Sequence, residues 1–375
     1  MIRLAVLIAA AALAQAVGTS SSSPSAGAPL SHGGEAKVRG APSSAVALEG
    51  LLAETPAPTL GAYRLFTDAG GRIPNLGLTP YGLNTPLFSD YAEKARYLYL
   101  PPGLSATYRS SGVLAFPVGA TLVKTFAYPA DLRRPNDAQK LIETRLLIHR
   151  RQGWVALTYV WNDQQTEATL KRAGGRVAVQ VIDKQGRLLD IDYAVPNQNQ
   201  CKQCHGLSGV LTPIGPKARN LNGDFAYGGG RENQLAHWRK TGILKGAPAA
   251  TALPRTAVWD DPREPILPRG RAYLDANCAH CHNPKGAASN TGLFLNLEET
   301  GRTAQGIGKH PVAAGQGSGE LKLDIDPGHP EASILLYRMQ SRTPGVMMPE
   351  LSRSLTHAEG VALITAYLKA LPTTH

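Results

Sequence analysis

The sequence predicts an α+β fold with several domains, in which a β-rich N-terminal domain precedes two mainly α-helical modules. Short β-type runs, rich in apolar and β-branched residues, recur between positions 122 and 193. After Pro196 these runs give way to loops with isolated helical patterns, and a five-residue pattern containing two cysteines occurs twice. The 375 residues are enough for two or three domains with hydrophobic cores of their own.

The first residues have the layout of a signal peptide. A charged start with Arg3 is followed by an apolar run over 4–14 and by the small residues of Ala14-Gln15-Ala16. We expect cleavage near Ala16, hence a signal peptide over 1–16 and a periplasmic or secreted mature protein without a lipoprotein cysteine. An uncleaved anchor is the alternative, but the run is shorter than the roughly 20 apolar residues that span a bilayer. No later segment is long and apolar enough to be expected in a membrane.

Residues 17–55 are predicted to form a disordered tether. Between about 18 and 58 the composition shifts to Ser, Ala, Gly and Pro, with an almost unbroken serine run over 20–25. Such a composition cannot bury enough apolar surface to fold.

The β-rich domain is predicted over 56–196. Its strands are expected at 122–126, 141–149, 154–161, 177–182 and 188–193. Gly153 and Gly186 close short polar segments between neighbouring runs, and they indicate hairpin turns at these two places.

The rest of the chain is predicted to form a first module over 197–262 and a second over 263–375. One helix is expected at 232–241. Another is expected at 271–277, where it leads directly into the second cysteine pair.

The final helix has the clearest boundaries. Thr356 and Glu359 have the spacing of a capping box, and Pro372 ends the pattern. Its apolar face is expected to comprise Val361, Ile364, Leu368 and Leu371. His357, in the first turn, is expected to be solvated.

The formal net charge of +11 favours an acidic partner over nucleic acid. The 39 lysines and arginines are scattered among 28 acidic residues and form no runs, which argues against a nucleic-acid site. An acidic redox protein is the expected partner, and a merely solvated basic surface is the alternative. The sequence leaves the oligomeric state open.

All four cysteines fall into two copies of one pattern. The copies are Cys201-Lys202-Gln203-Cys204-His205 and Cys278-Ala279-His280-Cys281-His282. Two cysteines at this spacing can each bond one vinyl group of a porphyrin, and the next histidine can ligate its iron. The pattern is the attachment signature of c-type haem. It predicts two covalent haem c groups, held by Cys201, Cys204, Cys278 and Cys281 and ligated by His205 and His282.

Two other interpretations of the cysteines remain. Two C-x-x-C pairs can hold a structural zinc, and an even number of cysteines in an exported chain can form disulfides. Neither explains why a histidine follows each pair. Export agrees with the haem interpretation, since haem is attached to such motifs outside the cytoplasm.

Met348 is the predicted distal ligand of the second haem. It lies 67 residues after Cys281 (348 − 281), in Met347-Met348-Pro349 just before the final helix. This segment resembles the distal-ligand loop of small monohaem cytochromes c, and a thioether ligand favours ferrous iron. Met347 is the next choice. A methionine pair that fills a gap in the core is the alternative.

The distal ligand of the first haem is less well indicated. Between His205 and Cys278 there is no methionine, and His237 is the sole histidine. His237 is therefore the predicted distal ligand of the first haem. The alternatives are Met339 from the second module, a nearby lysine or tyrosine, an open coordination site, or a His237 that is an ordinary surface residue.

Beyond these motifs, the chain resembles a family of exported bacterial dihaem c-type cytochromes with a β-rich N-terminal domain. The matching stretches are GLNTPLFSDY (82–91), VGATLVKTF (118–126), VPNQNQ (195–200), IGPKARNLN (214–222), SILLYRM (333–339) and Met348-Pro349. The resemblance covers nearly all of the chain after the tether. It implies two cytochrome c-like haem modules, haem binding and electron transfer, but no particular reaction.

The first module departs from a small cytochrome c. Pro196 and its neighbours disfavour a helix ahead of Cys201, whereas a helix is expected ahead of the second cysteine pair. The distal ligand of the first haem therefore cannot be transferred from monohaem cytochromes.

The leading functional hypothesis is a dihaem cytochrome that transfers electrons in the periplasm. The alternative is a dihaem oxidase or peroxidase with an open coordination site at the first haem. A third possibility is a binding module whose β-rich domain docks a partner enzyme or the cell wall. No Ser-His-Asp set, phosphate loop or dinucleotide fingerprint supports another enzyme class.

Overall fold

The computed structural model describes residues 45–312 and 315–373. The predicted signal peptide, and the predicted tether up to residue 44, lie outside this range. Residues 45–55 are part of the folded chain, because they contain the short helix α1 (Leu48–Leu52), whose Leu51 is fully buried. No helix among the described residues is long and apolar enough to cross a membrane.

Strands dominate the first part of the described chain, and short helices are spread through the rest. The strands are β1 (Leu78–Pro80), β2 (Glu93–Tyr99), β3 (Ala106–Thr107), β4 (Thr121–Pro129), β5 (Gln139–Arg150), β6 (Gly153–Trp161), β7 (Ala168–Leu170), β8 (Gly175–Ile182), β9 (Leu188–Val195), β10 (Gly206–Leu207), β11 (Val210–Leu211), β12 (Asp224–Tyr227), β13 (Gly230–Asn233) and β14 (Leu244–Lys245). After α1, the helices are α2 (Gln198–His205), α3 (Ala218–Leu221), α4 (Gln234–Lys240), α5 (Ile266–Asn277), α6 (Ile334–Gln340) and α7 (Ala358–Ala370). Single 3₁₀ turns lie at Leu60–Tyr63, Ala250–Ala252, Ser289–Thr291, Gly315–Ser318 and Pro330–Ala332.

The central element is a six-stranded antiparallel sheet with the order β1-β2-β4-β5-β6-β7. All five strands expected from the sequence are confirmed as β4, β5, β6, β8 and β9. The two expected hairpins are confirmed as well, since β5 pairs with β6 and β8 pairs with β9. The β8–β9 hairpin forms a separate two-stranded sheet.

One face of the large sheet packs against the N-terminal segment. Val123, Leu146 and Tyr159 from three neighbouring strands share a buried cluster with Leu51 and Tyr63. This cluster has the ordinary composition of an apolar core, so the burial of apolar side chains holds the N-terminal segment on the sheet.

The opposite face of the sheet is apolar at both ends and charged in the middle. At one end, Leu98 and Leu122 belong to a cluster that includes Trp238 of α4. At the other end, Phe126 packs with residues of the β8–β9 hairpin, including Val181. Between these two clusters lie the charged side chains of Arg96, Lys124 and Arg145, and the first cysteine pair lies over this part of the sheet.

The C-terminal segment has its own core around α5, α6 and α7. Leu274 of α5, Met339 of α6 and Ile364 of α7 belong to one buried cluster, which also contains Cys278. The final helix begins at Ala358, and its cap residue is His357, whose side chain makes no capping bond. The predicted capping box is therefore wrong, because Thr356 instead donates from its hydroxyl to the Gln340 carbonyl at 3.2 Å.

The predicted fold class is wrong for the part of the chain that carries the cysteines. Two mainly α-helical modules were expected over 197–262 and 263–375, but the seven helices in the described part of the chain are only 4 to 13 residues long. The first of these regions contains two antiparallel ribbons, β10–β11 and β12–β13, and its β14 pairs in parallel with β3. Frequent Pro and Gly keep helices short here, so turns and ribbons satisfy much of the backbone.

Candidate functional site

The first cysteine motif lies on α2, a helix with a well-formed N-terminus. The Asn197 side chain accepts a hydrogen bond from the Gln200 amide, and the Gln200 side chain accepts one from the Asn197 amide, both at 2.9 Å. This capping box starts the helix directly after Pro196 and three residues ahead of Cys201. Cys201, Cys204 and His205 consequently share one short helix, whose last residue is the histidine.

The second cysteine motif follows the last turn of α5, as the sequence predicted. Cys278 is the C-cap residue and is 9% exposed. The preceding Asn277 is buried, and its side chain accepts a hydrogen bond from the Phe88 amide at 2.8 Å. The N-terminal part of the chain therefore holds the end of α5, and with it the position of the motif.

The two motifs touch each other in the folded chain. The ligand atoms of Cys204, His280 and Cys281 all lie within 4.8 Å of one another. Cys281 Sγ lies 3.9 Å from the carbonyl oxygen of Gln203. A hydrogen bond between the two thiols raises the pKa of Cys204 to about 12 and lowers that of Cys281. His280 is buried, and its Nδ1 has no hydrogen-bond partner among the described residues.

Both motif histidines are held in the form that can ligate a metal. His205 Nδ1 lies 2.9 Å from the Thr212 carbonyl oxygen. Since a carbonyl only accepts, Nδ1 carries the proton and the lone pair is left on Nε2. Burial lowers the pKa of both His205 and His282 to about 4, so both imidazoles are neutral at neutral pH. His282 Nδ1 faces the Thr291 hydroxyl at 3.5 Å.

A cavity of about 160 Å³ lies between the first motif and the charged middle of the sheet. Cys201, Cys204 and His205 line one side. Arg96 and Lys124 line the sheet side. Among the described residues that line it there is no methionine, and His205 is the only histidine.

The structure does not bring His237 to this cavity. His237 lies on α4, where its Nδ1 is 2.6 Å from a carboxylate oxygen of Glu232. Its ring stacks on Tyr227 with 3.7 Å between the ring centroids. These contacts explain the residue without a metal, and they agree with the alternative interpretation that His237 is an ordinary residue of its helix.

The second motif borders a smaller cavity of about 20 Å³. Cys278 and His280 line it together with both Met348 and Met339, whereas Met347 does not. Of the methionines considered as ligands, the structure therefore places Met348 and Met339 at the second cysteine pair. Met339 is only 6% exposed.

His357 also lines this second cavity, and the expectation that it is solvated is wrong. Its side chain is 10% exposed and stacks on Phe88 at 4.0 Å between ring centroids. Its Nδ1 lies 2.9 Å from the Tyr273 hydroxyl. The residue is part of the aromatic packing that joins α5 to α7.

The donor groups of a c-type haem, two cysteines and a histidine, line one cavity together at the first motif. At the second motif Cys278 lines the neighbouring cavity, whereas Cys281 and His282 do not. At the first motif the cavity is the larger one and lies directly beside both cysteines and the histidine. At the second motif, 20 Å³ is room for about one water molecule.

The two cavities are separated by residues from two distant segments, one around Leu87 and one in the loop that follows Met348. Leu87 lines both of them, as do Leu351 and Ser352. Close to Leu87, the buried Asp90 carboxylate accepts hydrogen bonds from the Ser354 and Leu355 amides and from the Ser354 hydroxyl, at 2.8 to 2.9 Å. The segment over 82–91 thus positions the loop that follows Met348.

The sequence analysis did not predict that cations line the first cavity, nor that His280 lies beside Cys204 and Cys281. Lys124 alternates with Leu122 and Phe126 on an otherwise apolar strand face, and this pattern signals a buried charge. Burial lowers the pKa of Lys124 well below its usual range. His280 occupies a spacer position of the second motif, so no local signal pointed to its contact with Cys204.

Comparisons of this chain with family models, with curated proteins and with solved structures find no match.

Proposed function

We propose that this chain is an exported dihaem c-type cytochrome that transfers electrons between its two haems and a partner protein. The observation that carries the proposal is the contact between the two cysteine motifs. Cys204 and Cys281 are 77 positions apart in the sequence (281 − 204), yet their sulfur atoms lie within 4.8 Å of each other. Two cofactors bonded to these sulfurs would have neighbouring edges, an arrangement that suits electron transfer between them.

Each cysteine would hold its cofactor by one covalent bond. The thiols of Cys201 and Cys204 would each add across a vinyl C=C bond, so that sulfur bonds one carbon and the thiol proton moves to the other. Cys278 and Cys281 would do the same at the second site. No oxidant is needed for this addition. When bound, haem supplies an iron that cycles between the ferric and ferrous states.

The surrounding residues orient and bury these groups. Thr212 keeps the His205 lone pair on Nε2, and Thr291 faces Nδ1 of His282 in a similar way. Met348 is the proposed distal ligand at the second site, where it lines the cavity together with Cys278. Its thioether would favour the ferrous state and raise the potential.

The proposal includes export of the chain and an acidic redox protein as its partner. Haem is attached to such motifs outside the cytoplasm, and the signal-peptide pattern over 1–16 provides for export to the periplasm or beyond. The net charge of +11 suits an acidic redox partner.

A second candidate function is a dihaem oxidase or peroxidase. It is favoured by the lining of the first cavity, which offers no methionine and no second histidine among the described residues. An iron at His205 without a sixth protein ligand would keep one face open to a small substrate. Cyanide binding distinguishes the two functions, since an iron with six ligands binds it slowly or not at all.

The proposal is tested by counting covalent haem in the exported full-length chain. We expect two haems per chain that resist extraction by acid acetone. The paired changes Cys201→Ser/Cys204→Ser and Cys278→Ser/Cys281→Ser should each leave one haem. His237→Ala, outside both cavities, is the matched control and should leave two.

A zinc site at Cys204, His280 and Cys281 is the competing result. Three such ligands within 4.8 Å resemble a tetrahedral site with one open position. If elemental analysis finds one zinc and no iron, and the zinc is lost in His280→Ala, then the haem proposal is wrong.

A further inference from the structure

Three strands of the large sheet place cations side by side in the first cavity. The register pairs Arg96 of β2 with Lys124 of β4, and Lys124 with Arg145 of β5. All three side chains line the cavity that contains Cys201 and His205. Because side chains alternate between the faces of a strand, this row is confined to the face that looks toward the first motif.

Most charges around the cavity are neutralised within the chain. Arg145 forms an ion pair with the fully buried Glu143. Lys217 pairs with Asp275 at 3.4 Å, and Asp275 also binds Arg219 at 2.9 Å. These groups need no further counter-ion, since each cation already faces a carboxylate.

Arg96 and Lys124 are the exceptions. Arg96 is 8% exposed, and it donates to the Lys94 carbonyl at 3.2 Å without a carboxylate partner among the described residues. Lys124 Nζ lies 4.6 Å from the centroid of the Phe126 ring and forms no ion pair among the described residues, since the nearby Glu143 is already paired with Arg145. A buried cation without a counter-charge is costly, and an arginine cannot escape that cost by losing its proton.

We propose that Arg96 and Lys124 form a carboxylate-binding site on the sheet face of the first cavity, and that it receives the propionates of the haem bonded to Cys201 and Cys204. The charges match, because Arg96 stays charged and a carboxylate placed beside Lys124 would favour the protonated form of its amine. This inference rests on the proposed function. The same chemistry would also accept a dissociable carboxylate ligand, and the test separates the two sources.

The test uses the purified holoprotein with Arg96→Gln or Lys124→Gln, and redox titration of the first haem as the readout. The first haem is identified as the one that persists in Cys278→Ser/Cys281→Ser. A nearby cation disfavours ferric iron, so its removal should shift the ferric/ferrous equilibrium toward ferric by about tenfold, roughly 59 mV for one electron. Lys140→Gln is the control, since Lys140 lies on the same sheet but is exposed and pairs with Asp163.

Added succinate and the spin state of the iron complete the test. The site is assigned to the propionates if succinate leaves the ferric/ferrous equilibrium of the wild type unchanged and both variants shift that equilibrium about tenfold. A saturable effect of succinate in the wild type that is lost in both variants assigns it to a dissociable carboxylate. If the potential of the first haem is unchanged in both variants and succinate has no effect on the wild type, the proposal is wrong. Conversion to high-spin iron in Lys124→Gln would also overturn it, because Lys124 would then be a ligand of the iron.

Failure of the dihaem proposal is recognised separately, since the haem content of every sample is measured first. If the chain carries no covalent haem, calorimetric titration with succinate tests whether Arg96 and Lys124 bind a carboxylate. Binding to the wild type that is lost in Arg96→Gln supports the carboxylate site. Absence of binding to the wild type overturns it.

Discussion

At the scale of single residues, the proposed methionine ligand of the second haem depends on which methionines line the second cavity. Met348 and Met339 both line it, and Met339 is also part of the buried core of the C-terminal segment. Met347, two positions after Gly345, does not line the cavity. The proposed ligand of the second haem is therefore either Met348 or Met339, of which only Met339 belongs to the buried core.

We predict that Met348→His lowers the potential of the second haem and removes the near-infrared absorption that ferric haem shows with a methionine ligand. An imidazole ligand favours ferric iron relative to a thioether, so the equilibrium should shift more than tenfold. The measurement is an absorption spectrum combined with a redox titration. Met347→His serves as the control and should change neither. Loss of the band in Met339→Leu but not in Met348→His would transfer the ligand role to Met339.

Asp90 is the residue that ties the N-terminal part of the chain to the loop after Met348. Asp90→Ala should lower the free energy of unfolding by about 3 kcal/mol, because the buried Leu355 amide and the partly buried Ser354 amide and hydroxyl lose a charged acceptor. Urea unfolding of the holoprotein measures the loss. Asp163→Ala is the control, since that side chain is 90% exposed and should matter little. A change as small as that of the control would mean that the loop is held by other contacts.

At the level of elements, the second motif depends on the close approach of α5 and α7. A Cβ atom at Gly270 would lie 2.3 Å from the Tyr367 ring, so only glycine permits the observed distance. Since α5 runs directly into Cys278, the crossing of these two helices also sets the position of the second cysteine pair.

We predict that Gly270→Ala destabilises the protein by about 1 to 3 kcal/mol through overpacking. Gly61→Ala is the matched control, because its Cβ would meet nothing within 4 Å. Thermal unfolding of both variants provides the comparison. If Gly270→Ala unfolds at the same temperature as Gly61→Ala, then α5 and α7 accommodate the added methyl group and the predicted overpacking is wrong.

At the scale of the whole molecule, the contact between Cys204 and Cys281 predicts interaction between the two cofactors. Oxidation of one iron adds a positive charge close to the other, and neighbouring charges interact strongly where water is excluded. We therefore expect the potential of the first haem to be higher when the second haem is oxidised than when it is reduced. The measurement is a redox titration of the wild type against Cys278→Ser/Cys281→Ser. Identical waves for the first haem in both proteins would show that the cofactors lie too far apart to interact.

The fold could be predicted from the sequence where the signal is local. The strands at 121–129, 139–150 and 153–161 match the predicted runs because their apolar residues and flanking turns are contiguous in the chain. The prediction of two mainly helical modules was wrong. Helices do occur at and after the cysteines, but Pro and Gly keep them short, and α5, α6 and α7 pack on one another rather than forming two separate modules.

The candidate site likewise has features that the local sequence predicts and features that only tertiary contacts specify. The sequence by itself determined which four cysteines and two histidines form the proposed attachment motifs, since five adjacent residues contain all the chemistry of that signature. Only the tertiary structure decided that the motifs meet at Cys204 and Cys281, that His237 lies elsewhere, and that Arg96 and Lys124 face the first cavity. These placements depend on contacts between segments far apart in the chain, and the packing of the whole chain rather than any local pattern specifies such contacts.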